Sequence, residues 1–109
     1  MKHPESELQR ACVRWFRLQY PQWMIYANAN GGYRSKIEAA IMKGEGVLSG
    51  IPDLTILKPS GALYIEMKAQ GGRLSENQTE AINKIKQMGF PVEVCYSLDE
   101  FIEVIEKYK

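Results

Sequence analysis

Leu8, Ala11, Cys12, Trp15 and Leu18 recur at helical spacing, so the first segment of the chain is expected to be an amphipathic helix. Pro4 suits its first turn, Glu5 and Glu7 favour the positive end of its dipole, and Pro21 ends it. From Gln22 to Asn28 the period falls to two, which predicts a strand with Trp23, Ile25 and Ala27 on one face. Asn28-Ala29-Asn30-Gly31-Gly32 then reads as a loop. Ser35 can cap a short helix through Met42, and Gly44 suits that helix's C-terminal end. A loop punctuated by Gly44, Gly46 and Gly50 leads to Ile51-Pro52-Asp53. Two strands follow, Asp53 to Leu57 and Ala62 to Lys68, joined by the turn Lys58-Pro59-Ser60-Gly61. Past Gly71-Gly72, Ser75 and Gln78 form a capping box for a helix carrying Ala81, Ile82, Ile85 and Met88, closed by Gly89. Pro91 to Tyr96 is a fourth strand. Ser97 with Glu100 makes a second capping box, and Leu98, Phe101, Ile102, Ile105 and Tyr108 share a face of the last helix. The order is helix, strand, short helix, two strands, helix, strand, helix. It predicts an α/β fold in which helices flank a small mixed sheet.

Composition limits what such a fold does. The chain has 109 residues, 45% hydrophobic and 25% charged, with net charge +1. That suits one globular domain over residues 1–109 and rules out disorder as the main state. No apolar run approaches the roughly 18 residues of a bilayer span, so no membrane role is expected. The first residues hold no apolar stretch of signal-peptide type, and a cytoplasmic location is the expectation. Cys12 and Cys95 make neither a disulfide framework nor a zinc set, and each falls in an apolar pattern as a small core residue. The last twelve residues carry four acids against two lysines, a charge of −2, which leaves +3 on residues 1–97. That bias permits a nucleic-acid partner if the basic side chains gather on one face.

The chemistry lies in the hairpin. Alternation places Leu63, Ile65 and Met67 on one face of its second strand and Tyr64, Glu66 and Lys68 on the other. In the first strand Leu54 and Ile56 are apolar, with Asp53 and Thr55 opposite. Closing the turn sets Leu57 across from Ala62. Counting back by twos then opposes Thr55 to Tyr64 and Asp53 to Glu66, with Cβ atoms about 4.5–5.5 Å apart. Like charges so placed destabilise a sheet, and a divalent cation removes the conflict. Two hard oxygen donors with a lysine one step along suit Mg²⁺ and the hydrolysis of a phosphodiester bond. Taken singly, Glu-x-Lys on a strand is usually a solvated face, and Pro-Asp before a strand is usually a turn. The two carboxylates on one face are what set this hairpin apart.

Gly50-Ile51-Pro52-Asp53-Leu54, Glu66-Met67-Lys68 and the downstream Ser75 to Gln78 resemble the PD-(D/E)XK nuclease superfamily. More narrowly they resemble the virus-type replication-repair nuclease (VRR-NUC) family in its small stand-alone form. The resemblance runs from Glu7 to the last helix. It implies a restriction-endonuclease-like αβ(α)ββαβα core. It implies that Asp53, Glu66 and the backbone carbonyl of Met67 bind Mg²⁺ or Mn²⁺, with no organic cofactor. Lys68 would position or activate the attacking water. Glu7 would match the family's helical acidic residue, reaching the metal directly or through water, and Gln78 its glutamine after the core strands. Stand-alone members resemble homodimeric nucleases acting on four-way (Holliday) junctions, and fused members look like flap and crosslink-repair enzymes.

Several of these residues have plainer roles available. Glu7 also suits a helix N-terminus, and Gln78 also suits a capping box. Arg10, Arg14 and Arg17, at helical spacing, read as a solvated face. Tyr33, Arg34, Lys36 and Lys43 are the better candidates for phosphate contact, and Lys58 and Arg73, beside the hairpin, are others. Trp15 and Trp23 read as core or interface. A structure-selective deoxyribonuclease is the leading expectation. A restriction-type or flap endonuclease and a non-catalytic DNA-binding module that keeps the fold are the alternatives.

Overall fold

A computed structural model describes residues 3–29 and 35–109. Tyr33 and Arg34, two of the expected phosphate contacts, lie outside the described residues. Among the described residues, four helices and four strands follow in the expected order: α1 (Pro4–Gln19), β1 (Met24–Ala27), α2 (Lys36–Gly44), β2 (Leu54–Lys58), β3 (Gly61–Met67), α3 (Glu76–Gln87), β4 (Val92–Cys95) and α4 (Leu98–Lys107). The strands form one mixed sheet in the order β1-β2-β3-β4. β1–β2 and β2–β3 are antiparallel, whereas β4 runs parallel to β3. A parallel neighbour needs a crossover, and α3 supplies it.

The hairpin register is the one that alternation and the turn predict. Leu57 opposes Ala62 and Thr55 opposes Tyr64, and Lys58 pairs with Gly61 around Pro59-Ser60. Leu54, Ile56, Leu63, Ile65 and Met67 are completely buried on one face of the sheet. There they meet Cys12 and Phe16 of α1 and Phe101 and Ile105 of α4. The other face is covered at the β3–β4 side by Ile82 and Ile85 of α3, packed on Val92 with Tyr64 and Val94. Both cysteines are free and buried, and burial raises their thiols to about 11 for Cys12 and about 12 for Cys95.

Local structure departs from the expected pattern in four places. The buried stripe of α1 is Cys12 and Phe16 with Leu8, Val13 and Trp15 partly buried, while Ala11 and Leu18 (73% exposed) turn to solvent. β1 is shorter than Gln22 to Asn28, and only Ile25 of its expected face is fully buried. Trp23 instead stacks on Tyr20, with ring centroids 4.7 Å apart, in a turn ahead of the strand. Met88 lies exposed just beyond α3. At α4, Ser97 accepts the Glu100 N–H as expected, but Glu100 Oε1 reaches back to the Tyr96 N–H rather than to that of Ser97.

Gly50 carries the close approach that sets the loop before β2. Its φ is +81°, and a Cβ there would clash with the Asn77 carbonyl and lie 2.8 Å from the Gln78 nitrogen. The Asn77 side-chain amide also donates to Ser49 Oγ at 3.0 Å, tying this loop to the start of α3. Gly50→Ala should therefore destabilise the protein by about 2 kcal/mol or more, since strain and a backbone clash add. Gly44→Ala, with no atom within 4 Å of its Cβ position, should stay within about 0.5 kcal/mol of the parent. Urea melts of the two variants check this.

Candidate active site

Asp53 enters the hairpin immediately before β2, where four hydrogen bonds fix the chain. The Asn28 N–H donates to the Asp53 carbonyl at 2.8 Å. The Asn28 side-chain amide donates to the Pro52 carbonyl at 2.8 Å and to Thr55 Oγ1 at 2.9 Å. Asp53 Oδ2 accepts the Met67 N–H at 2.7 Å. The last contact pulls the Asp53 carboxylate across to β3, one residue past Glu66. Alternation had placed the two carboxylates on one face, and this backbone hydrogen bond holds them at one end of the hairpin.

Glu66 is completely buried. Its Oε2 accepts from Gln78 Nε2 at 3.3 Å and lies 3.7 Å from Lys68 Nζ. Gln78 also accepts the Ser75 N–H through Oε1 at 2.9 Å. One side chain thus closes the capping box and holds the carboxylate, so its two sequence readings coexist. Lys68 is nearly as buried as Glu66, and its N–H pairs with the Cys95 carbonyl at 3.0 Å. Glu66 Oε1 is the buried side-chain atom that finds no hydrogen-bond partner among the described residues. Burial, then the Asp53 carboxylate beside it, pushes Glu66 up to about 8, against the pull of Lys68.

A third carboxylate completes the cluster, and it is Glu5. Single oxygens of Glu5, Asp53 and Glu66 lie within 4.8 Å of one another. Glu7, the helical residue expected here, is exposed and outside that cluster. Helical geometry gives the reason. At about 100° per residue Glu5 falls in line with the buried Cys12 and Phe16, whereas Glu7 is turned about 140° from Cys12.

The set fits a hard divalent cation. It offers three oxygen donors, an orphaned buried carboxylate oxygen and like charges that only a cation or a proton reconciles. Met67 lies between Glu66 and Lys68, with its side chain in the core and its N–H given to Asp53.

The expected phosphate contacts are dispersed. Lys36 and Lys43 are exposed near the two ends of α2, and Arg73 is exposed on the segment from β3 to α3. Lys58 sits at the turn, bonded to Ser60 Oγ at 2.6 Å, and the length of β2, about 17 Å, separates it from Asp53. It does not flank the carboxylates, because the turn closes the opposite end of the hairpin. Two residues at the site had no distinctive sequence signal. Glu5 shares the first turn with Glu7, and only the rotation of α1 separates them. Asn28 reads as an ordinary loop residue until β1 is placed beside Pro52.

The VRR-NUC domain profile matches residues 3–99. A solved structure described as "VRR_NUC domain protein" superposes with a TM-score of 0.76 over 99% of this chain and 89% of its own, at 26% identity. A second, described as "VRR_NUC domain", gives 0.71 over 99% of this chain and 100% of its own, at 21% identity, a likeness of fold alone. No curated protein sequence matches significantly.

Because Glu66 is raised from 4.5 to about 8 in the fold, the cation-free native state holds a proton that the unfolded chain releases. The native state binds more protons across that window, so stability from this group is full at pH 4 and lost as pH rises toward 8. Glu66→Gln should remove that loss and stabilise the cation-free protein at pH 8 by a few kcal/mol, on the order of 1.4 per pKa unit. Its effect at pH 4 should be small. Denaturant melts in EDTA at the two pH values test this. A parent whose pH dependence matches the variant's would contradict it.

Proposed function

The chain belongs to the VRR-NUC domain family and is a nuclease domain, and from that premise we propose a divalent-cation-dependent endodeoxyribonuclease that cuts branched DNA as a homodimer. The observation that carries this reading is the convergence of Glu5, Asp53 and Glu66 beside the buried Lys68.

Asp53, Glu66 and Glu5 would hold Mg²⁺ or Mn²⁺, with the Met67 carbonyl as a further donor. The bound cation supplies Lewis-acid stabilisation of the charge that develops on the phosphate. The protein's own residues do the rest. The Lys68 ammonium, held 3.7 Å from Glu66 Oε2 in a nearly dry position, donates to the attacking water or to a phosphate oxygen. Gln78 keeps Glu66 aimed by holding Oε2 from the side of α3. Hydrolysis adds the water oxygen to phosphorus and breaks the phosphorus–oxygen bond to the leaving nucleotide, which takes the proton.

The dimer draws support from an uncovered surface. Ile37 (75% exposed) and Ile41 project from α2, and α2 buries none of its residues. Met24 and Leu48 are exposed apolar residues as well. A two-fold dimer supplies two equivalent sites, which paired cuts across a junction need. Light scattering should give a dimer at micromolar protein. A monomer with full junction activity contradicts that part of the reading.

Lys68→Ala should slow cleavage of a labelled four-way junction by orders of magnitude, because it removes a contact made in the transition state. DNA binding should change by one phosphate contact at most. Asp53→Ala and Glu66→Ala should abolish cation-dependent cleavage and leave binding equal or tighter, since each removes negative charge near phosphate. Junction, flap and linear duplex compared with Mg²⁺ or EDTA separate the substrate readings. An Asp53→Ala protein that cuts at the parent's rate would place the active site elsewhere.

A further inference from the structure

We propose that one side of α1 is a DNA-backbone track, on which Arg10, Arg14 and Arg17 take successive phosphates of a duplex arm leading to the carboxylate cluster. This rests on the nuclease reading above and extends it beyond the reacting phosphate.

Shape and charge both point there. Ser6, Gln9, Arg10, Arg14 and Arg17, with the apolar Val13 and Leu18, line a shallow groove along the helix. A second groove, lined by Glu5, Ser6, Gln9 and Ala69 among others, adjoins it through the shared Ser6 and Gln9. Glu5 is one of the three clustered carboxylates, so the two grooves together run from the arginines toward the candidate active site. Arg10 and Arg14 are four residues apart, Arg14 and Arg17 three. All three are therefore neighbours on the helix surface, where like charges repel. None has an ion-pair partner among the described residues, and Glu7 does not line the groove. Three neighbouring guanidinium groups without a carboxylate partner are a small net cost to the helix. A row of phosphates neutralises them, and Ser6 and Gln9 add hydrogen-bond donors of the kind that contact the backbone.

The dimensions agree. Arg10 and Arg17 are about 10 Å apart along the axis at 1.5 Å per residue, roughly three nucleotides of rise at 3.4 Å each. Glu5 to Arg17 spans about 18 Å, or roughly five base pairs. Arg17 is already fixed by an Nη2 bond to the Ile25 carbonyl at 3.3 Å, which anchors the far end of the track against β1. Its fork has further N–H donors to offer.

The test is fluorescence anisotropy of a labelled linear duplex in EDTA, titrated against salt, with the Arg10→Gln/Arg14→Gln double variant. Losing two phosphate contacts should cut the slope of log K against log salt by about 1.8 and weaken binding about tenfold or more at 0.1 M. Arg10→Lys/Arg14→Lys should restore most of the slope. Lys84→Gln/Lys86→Gln, an equal charge loss on the exposed side of α3, should change it little. The track is overturned if the arginine variant keeps the parent's slope and affinity, or if the lysine control loses as much. If the parent cleaves DNA in Mg²⁺ while the arginine variant binds normally, only the track falls. If the parent neither binds nor cleaves DNA, the nuclease reading falls and takes the track with it.

Discussion

Two carboxylates sit side by side at the open end of the β2–β3 hairpin, and much of the molecule follows from what it takes to hold them there. Bare, the pair works against the fold. Glu66 is out of water, its neighbour Asp53 has the same charge, and one of its oxygens meets no donor among the described residues. The sheet opposes this with short-range contacts. The Met67 N–H takes Asp53, the Gln78 amide takes Glu66, and the Lys68 ammonium lies beside it. Two of those donors stand at the end of β3 and the third on α3, while Asp53 itself enters from β2, so the pair is held only when β2, β3 and α3 are all in place.

This explains features remote from the reacting groups. Asn28 stitches the end of β1 to Pro52 and Asp53, which fixes where the first carboxylate enters the sheet. Gly50 lets the preceding loop lie against the backbone of Asn77 and Gln78, which no side chain at that position would allow. That contact brings the start of α3, and with it Gln78, down to Glu66. The burial of Cys12 and Phe16 under the sheet then sets the rotation of α1, and this rotation delivers Glu5.

Much of this was legible from the residues alone, for physical reasons. A period of two is strict, so once the turn fixed Leu57 against Ala62, the facing of Asp53 and Glu66 followed with no further information. The capping box at Ser75 and Gln78 was legible because it is a local hydrogen-bond pattern. What local pattern did not carry was the rotation of a helix against its sheet. Leu8, Ala11, Cys12, Trp15 and Leu18 define a plausible apolar stripe, and it points a different way from the one that Cys12 and Phe16 bury. Glu5 and Glu7 stand about 160° apart across that difference, by the same 100° per residue. Lys58 does sit beside the hairpin as expected, but at its turn, the end away from the carboxylates.

The central claim is that Glu5, Asp53 and Glu66 together form a divalent-cation site. Manganese binding followed by electron paramagnetic resonance tests it most directly, because it reads the cation without needing DNA or turnover. The parent, Glu5→Gln and Glu7→Gln proteins would be titrated side by side at pH 8. The account requires the parent to bind Mn²⁺, Glu5→Gln to bind it about tenfold or more weakly, and Glu7→Gln to match the parent. A parent that leaves Mn²⁺ free, or a loss of affinity at Glu7 with none at Glu5, would contradict it.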